Sequence, residues 1–428
     1  MSCNEWKEYT LDEVCISITD GSHSSPKSVE NGYPMASVKD MGYFEINIDS
    51  CRQISEEDYQ KLVNGKCKPE INDVLIAKDG SYMKFVNVVK EEKDLVLLSS
   101  IAILKPNIDI LNPLFLKYYL LTPNVKHELE YGYVSGSAIR RIVLKDFKRF
   151  PIKLPPSEEQ EKIANILSSL DDKIELNNEM NKTLEEMAQS IFKRWFVDFE
   201  FPNDEGQPYK SSGGEMVDSE FGMIPNGWEV KNLDEVLELI IDYRGKTPKK
   251  LGSDWSDEGI MALSAKHIKD GNLVNLEVIK YVSNELYEKW MKDKLKMGDI
   301  IMTSEAPVGE LYYINTNTEY CLSQRVYGLR SNKNILKSSL LYYMLDSKHV
   351  KGQILNRSTG TTVVGIRQTE LRKVNVIVPP MNIQESISIL LDKILSKKEI
   401  LDNENTNLAQ IRNSILPKLM NGEIKIGI

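Results

Sequence analysis

Two kinds of pattern alternate along the chain. Short apolar runs, among them Val74-Leu75-Ile76-Ala77, Ile300-Ile301-Met302, Val96 to Leu104 and Val374 to Val378, are separated by clusters of Gly, Asn, Asp and Pro. This predicts short strands with turns every ten residues or so, a curved sheet with a few helices and not a doubly wound fold. After Pro155-Pro156 the period changes. Ile163, Leu167, Leu170, Ile174, Asn177, Asn181, Leu184, Ala188, Ile191 and Trp195 recur at alternating steps of four and three, a heptad seam. A second seam follows Pro379-Pro380: Ile387, Leu391, Ile394, Lys398, Leu401, Asn405, Leu408, Arg412, Ile415 and Leu419. Ser157 with Gln160, and Asn382 with Glu385, read as capping pairs at the two helix starts. A helix from Ser157 to Phe199 would be about 60 Å long. Pro417 is expected to end or kink the second helix.

The two seams belong to an internal duplication. Trp6 and Leu11-Asp12-Glu13-Val14 match Trp228 and Leu233-Asp234-Glu235-Val236 at an offset of 222. Tyr118-Tyr119, Gly136, Pro155-Pro156, Gln160 and Asn181 match Tyr342-Tyr343, Gly360, Pro379-Pro380, Gln384 and Asn405 at 224. Each copy is a mixed α/β lobe followed by a long helix. A strict heptad over this length favours a helix partner over a lone lobe-facing helix, and the other copy's helix is the simplest partner. The expected fold class is α+β: two similar mixed α/β lobes joined by a pair of long antiparallel coiled-coil helices, a dumbbell with approximate two-fold symmetry. The expected boundaries are a first lobe over 1–154, a helix over 155–199, a connecting segment over 200–226, a second lobe over 227–378 and a second helix over 379–428. Helix-pair contacts are expected from Ile163, Leu167, Leu170, Ile174, Asn181, Leu184, Ile191, Ile387, Leu391, Ile394, Leu401, Asn405, Leu408 and Ile415, with buried Asn fixing register.

Composition narrows the chemistry. The 428 residues, 41% hydrophobic and 27% charged, suit a globular protein with more than one core. The N-terminus lacks the apolar stretch of a signal peptide, which predicts a cytoplasmic protein. Cys3, Cys15, Cys51, Cys67 and Cys321 contain no CxxC pair, and His23, His127, His267 and His349 show no metal spacing, so no metal site is expected. Walker A, GxGxxG and GxSxG motifs are missing. Asp73 or Asp79 with Glu91 and Lys93 fits a degenerate nuclease pattern, a match that arises by chance in a chain this rich in Glu and Lys. No catalytic residues are expected.

The net charge of −9 argues against a uniformly basic, nucleic-acid-binding surface. Basic residues are nevertheless clustered at matching places. Arg140, Arg141, Lys145, Lys148, Arg149 and Lys153 follow the loop holding Ser135, Gly136 and Ser137; Arg357, Arg367, Arg372 and Lys373 surround Thr359-Gly360-Thr361. Small hydroxylated and glycine residues let a backbone approach phosphates while Arg and Lys supply charge. Two further loops sit near corresponding positions, Asp20-Gly21-Ser22-His23 and Arg244-Gly245-Lys246-Thr247, followed by Lys39 and Lys266. Two non-identical lobes held at a fixed distance suit double-stranded DNA read as two half-sites.

The stretch LPPSEEQEKIANILSSLDDKIELNNEMNKTLEEMAQSIFKRWFVDFEFPNDEGQPYKSSGGEMVDSEFGMIPNGW, Leu154 to Trp228, resembles the central conserved region of the DNA-specificity subunits of type I restriction-modification systems. The closing IRNSILPKLMNGEI, Ile411 to Ile424, is similar to their C-terminal conserved region, and the likeness spans nearly the whole chain. The resemblance implies two target recognition domains reading a bipartite asymmetric sequence, with the helices as a ruler for the unspecified spacer. It implies a non-catalytic subunit that assembles with two modification subunits, which methylate adenine, and two restriction subunits, which translocate and cleave DNA. S-adenosylmethionine, ATP and magnesium would then belong to those partners, with no cofactor in this subunit. A methyltransferase-only complex without a restriction partner is the alternative within the same resemblance. A self-sufficient nuclease or methyltransferase, and a purely structural coiled-coil adaptor, are the readings from other classes.

Overall fold

The computed structural model describes residues 6–79, 85–132, 134–135, 141–360 and 362–426. The chain falls into two compact units, one of Met1–Asn178 with Asn403–Ile428, the other of Glu179–Asp402. Both divisions fall inside the long helices, so each unit is a lobe with half of its own helix and half of the other.

In the first unit a four-stranded antiparallel sheet runs in the order Cys15–Asp20, Ile101–Pro106, Val74–Ala77, Val86–Val88. A three-stranded sheet orders Arg52–Ile54, Tyr33–Ala36 and Val96–Leu97, the last pair parallel. Lys7–Thr10 pairs with Pro151–Leu154, closing the lobe at the point where the chain leaves it. The second unit repeats this wiring. Leu237–Ile241, Val326–Ser331, Ile300–Thr303 and Leu311–Tyr313 form the four-stranded sheet; Lys280–Val282, Ile260–Leu263 and Tyr320–Leu322 form the three-stranded one; Glu229–Asn232 pairs with Asn375–Val378. The expected run from Val96 to Leu104 is not one strand: it breaks between Leu97 and Ile101 and serves both sheets, because the turn there carries the chain from one to the other.

The long helices are Ser157–Phe196 and Met381–Met420, 40 residues each and about 60 Å by rise. The first stops short of Phe199, whose φ of 59° is left-handed, and Phe199 and Phe201 turn back to pack on Trp228 in an aromatic cluster with Phe196. Within the connecting segment, Met216–Ser219 and Gly222–Pro225 form a hairpin belonging to the second unit. The second helix runs on through Pro417 to Met420, so Pro417 does not end it.

Neither expected capping pair forms at the helix starts. Gln160 is buried and faces its lobe: its amide nitrogen donates to the carbonyls of Ile110 and Pro155, both at 3.0 Å, and its amide oxygen accepts from the Asn112 N–H at 2.9 Å. Gln384 repeats this with Ile335 (2.9 Å), Pro379 (2.8 Å) and Lys337 (3.0 Å). Pro156 and Pro380 supply the first carbonyls of the helices instead, each accepting from the N–H groups three and four residues on.

The seam is apolar only near the lobes. Ile163 and Leu167 join the first lobe's core together with Leu416, Leu419 and Met420 from the second helix, with Ile415 packed against them. In the second unit Ile387, Leu391 and Ile394 join Ala188, Phe192 and Phe196, with Leu184 and Ile191 alongside. The helix segments in each unit thus run antiparallel. Burying each such Leu or Ile contributes about 1.5–3 kcal/mol. Ile174 and Leu401 are buried, whereas Leu170 and Leu408 are half-exposed. The residue beside Leu170 is buried in its place: Asp171 accepts from Arg412 at 2.6 Å and from the Tyr118 hydroxyl at 2.8 Å, with Lys117 at 3.3 Å. Toward the middle, Asn177 donates to Glu404 and Asn405 (both 2.9 Å) and Asn405 donates to Asn178 (2.9 Å) in the first unit. Asn181 donates to Asp402 (2.6 Å) and Lys398 to Glu185 (2.6 Å) in the second. The two matched asparagines therefore hold register through carboxylates and other asparagines, not through each other.

Candidate nucleic-acid interface

In each lobe one end of the four-stranded sheet collects the loops singled out in the sequence. In the first lobe the strand Cys15–Asp20 runs out into Gly21-Ser22-His23. Gly21 is required here: a Cβ at this position would lie 2.2 Å from the Leu97 carbonyl oxygen, and its N–H donates to Ile101. Ser22 is buried, donating its N–H to Leu97 and its hydroxyl to Ser24. Asp20 holds the Lys78 ammonium at 2.6 Å and lies 3.4 Å from the His23 ring, which stays 75% exposed. Lys78 follows the neighbouring strand Val74–Ala77, and its carbonyl accepts from the Ile142 N–H. That bond seats the small hairpin of Val134–Ser135 and Arg141–Ile142 at the same sheet end. Of this loop, Gly136, Ser137 and Arg140 lie outside the described residues; Ser135 and Arg141 face each other in the strand pairing.

The second lobe builds the corresponding place with different side chains. Asp242 accepts from Arg244 through Nε and Nη2, both at 2.9 Å, and the guanidinium lies 4.1 Å from the centre of the Tyr327 ring. The Tyr327 hydroxyl donates to the Ile366 carbonyl at 3.0 Å, and Ile366 donates its N–H to Ser304, the counterpart of the Ile142–Lys78 bond. Gly245, at φ 83°, makes the tight turn. Lys246 is partly committed, donating to the Trp290 carbonyl at 3.0 Å over the Tyr243 ring. Thr247 accepts from the N–H of Lys250. Thr359 exchanges backbone hydrogen bonds with Gly365, and Gly360 packs so closely on Val363 that no side chain would fit. Thr361 lies outside the described residues. Arg357 pairs with Glu370 at 3.7 Å, and Arg367 is exposed at the start of the short helix Gln368–Leu371.

Lys39 and Lys266 are both exposed on matching single-turn helices, Val38–Asp40 and Ala265–His267. Each turn is closed from its third position, by Asp40 in one and by the buried ring of His267 in the other, whose pKa is lowered chiefly by burial and then by Lys266.

Other members of the basic clusters are structural. Lys148 pairs with Asp12, and at the matching position Arg372 pairs with Asp234; Arg149 with Asp146 is repeated as Lys373 with Glu370. These two repeated pairs brace short helices of their lobes, the solvated-face role that a sequence cannot distinguish from ligand contact. Sequence reasoning missed Lys78, Ser304, Glu305, Arg325 and Tyr327, which only strand pairing brings to the sheet end.

No group of His, Cys, Asp and Glu among the described residues is arranged to hold a metal ion, and no described helix is long and apolar enough to cross a membrane.

The family model for the type I restriction modification DNA specificity domain matches the chain twice, over residues 4–186 and 225–410. The putative type I restriction enzyme MjaX specificity subunit of Methanocaldococcus jannaschii is 26% identical over 99% of this chain and 94% of its own length. The HindI specificity subunit of Haemophilus influenzae is 24% identical over 98% of this chain and 100% of its own. The crystal structure of a type I restriction-modification S subunit from M. genitalium shares the fold, with a TM-score of 0.60, 15% identity and coverage of 98% and 97%.

Proposed function

The chain belongs to the type I restriction modification DNA specificity family and is the non-catalytic DNA-recognition subunit of such a system; from this premise we propose that it reads a bipartite asymmetric DNA target, one half per lobe. The observation that carries this is the repeated sheet end: the same strands bring a loop, an Asp-anchored cation and a hairpin together in both units, with different side chains in each. Same scaffold and different chemistry suit two unlike half-sites. In this reading residues 1–154 and 227–378 are the recognition lobes, and 155–199 and 379–428 are the ruler that sets the spacer. The described candidates, Asp20 to His23, Lys39, Arg244 to Thr247, Lys266, Arg357, Thr359, Gly360 and Arg367, are the DNA-facing set, joined by Ser135 to Ser137, Arg140, Arg141 and Thr361.

A second repetition supports the reading of two modification subunits per chain. The first unit exposes Ile166, Leu176 and Ile411 on its helix segments, and the second exposes the matching Leu390, Ile400 and Met187. Two equivalent apolar faces suit two copies of one partner. Two restriction subunits complete the assembly, which works in the cytoplasm. S-adenosylmethionine, ATP and magnesium are bound by the partners. Methylome sequencing of cells carrying the chain with its modification partner tests this: one split adenine-methylated motif is expected, and loss of any such mark with active partners would overturn it.

A further inference from the structure

The second lobe's sheet end holds a residue pair that the first lobe lacks. Arg325 immediately precedes the strand Val326–Ser331, which lies between Leu237–Ile241 and Ile300–Thr303, so it emerges between Asp242 on one side and Ser304-Glu305 on the other. Its carbonyl accepts from the Ser304 N–H at 2.8 Å, and its guanidinium Nε lies 3.3 Å from the Glu305 carboxylate. Both side chains reach solvent, at 49% and 34% exposure. Arg325 has a φ of 66°, a left-handed conformation that L side chains rarely adopt and that concentrates at functional sites. Glu305 in turn forms a bridge with Gly365, on the hairpin that carries Thr359 and Gly360. In the first lobe the position matching Arg325 is Ser100.

The arginines here differ from a bare phosphate-binding patch. Arg244, Arg325 and Arg357 each have a resident carboxylate, Asp242, Glu305 and Glu370. A carboxylate beside each of these three guanidiniums repels the phosphate backbone, so such pairs weaken non-specific attraction. On base edges the same pair is complementary, since Arg donates to guanine O6 and N7 and Glu accepts from cytosine N4.

Resting on the reading of this lobe as one half-site reader, we propose that Arg325 and Glu305 act together as a specificity-determining pair, reading one G·C base pair of the second half-site in the major groove. Arg244 is already held by Asp242 and the Tyr327 ring, and the Arg357–Glu370 pair, though comparably exposed, sits aside at the short helix; of these three pairs, the Arg325–Glu305 couple is the one that emerges between the central strands of the sheet end, open to a ligand.

The test uses the full chain with its modification partners, comparing methylation rates on duplexes that vary each base pair of the wild-type motif. The wild-type second half-site should contain a G·C position whose substitution is rejected. Arg325→Ser, which copies the first lobe, should relax that position alone, lowering discrimination there about ten- to a hundredfold while the first half-site stays strict. Glu305→Gln, which keeps the side chain's shape, should relax the same position and raise binding to unrelated DNA; it carries the test if Arg325→Ser fails to assemble. An unchanged motif, a uniform loss across all sequences, relaxation in the first half-site, or a second half-site without G·C would each overturn the assignment. If the wild-type chain directs no split motif at all, the underlying half-site reading fails instead.

Discussion

The two helix–lobe junctions occupy matching positions and are built from opposite chemistry. In the first unit Asp171 is buried with Arg412, Lys117 and the Tyr118 hydroxyl, and the Arg412 guanidinium lies 4.6 Å from the centre of the Tyr43 ring. At offset 224 the second unit has Leu395, Ala188, Leu341 and the corresponding Tyr342, all members of one apolar core. Burial shapes the ionic junction: it pushes the Lys117 pKa down against the pull of Asp171, and it raises the pKa values of Tyr43 and Tyr118, with Asp171 adding to both. An ion cluster of this kind is weak as a source of stability but costly to leave half-made. Its value lies in discrimination. If the first helix paired with a copy of itself, Asp171 would meet Ala188; if the second did so, Arg412 would meet Leu395. Either pairing strands a buried charge, so the difference between the junctions favours the pairing of unlike helices.

Converting one unit into the other tests how far this goes, and the largest effect is expected at the buried ions. Asp171→Leu alone leaves Lys117 and Arg412 buried without a counter-charge and should destabilise the first unit by about 3–5 kcal/mol. Adding Lys117→Leu and Arg412→Ala, which copies the second unit, should restore most of the loss. Hydrogen exchange at the first core reads this, since two compact units need not unfold together. A triple variant as damaged as the single one would show that the junctions are not interchangeable.

A smaller effect is expected where the roles reverse. Asp402 in the second unit corresponds to Asn178 in the first, and burial, its largest cause, raises its pKa to about 6 against the opposing effects of Lys398 and Asn181. Its folded form holds a proton more tightly than the unfolded chain. Its contribution is therefore most favourable at low pH and is lost as pH rises from about 4 to about 6. Asp402→Asn should stabilise the second unit by about 1–2 kcal/mol at pH 7, after allowance for solvent screening. The advantage should vanish below about pH 4, and one that persists there would contradict the assignment. The smallest effect is expected at the surface, where Lys90 pairs with Asp172 and Glu175 while the second unit joins Asn315 to Ser396 by a neutral hydrogen bond. Lys90→Asn should change thermal stability by less than about 0.5 kcal/mol.

The duplication, the strand runs and both long helices are legible in the sequence because each rests on local periodicity or on repetition. The polar interruptions are legible too, since Lys398 and Arg412 break the seam, but their partners are not: Glu185 and Asp171 lie 213 and 241 residues away. Gln160 misleads in a physically instructive way. Three residues after a serine it matches a capping pattern, yet two of its three partners lie 48 and 50 residues back along the chain. The loops of the candidate interface announce themselves by glycine and charge. Arg325 and Tyr327 do not, since their significance comes from strand order and backbone conformation.

The two glutamine joints reach further than the helices they anchor. Every partner of Gln160 and Gln384 is a main-chain group: the carbonyls of Ile110, Pro155, Ile335 and Pro379 and the N–H groups of Asn112 and Lys337. A socket made of backbone reads no side chain. At this joint the amino acids of the lobe can drift as long as a carbonyl and an N–H two residues apart are offered at the same place, whereas the junction further along the helices does read lobe side chains, Lys117 and Tyr118 on Asp171 and Tyr43 on Arg412. In the proposed reading, a lobe with a new DNA preference can keep this joint unchanged, and the side chains that meet Asp171 and Arg412 are what must be kept with it.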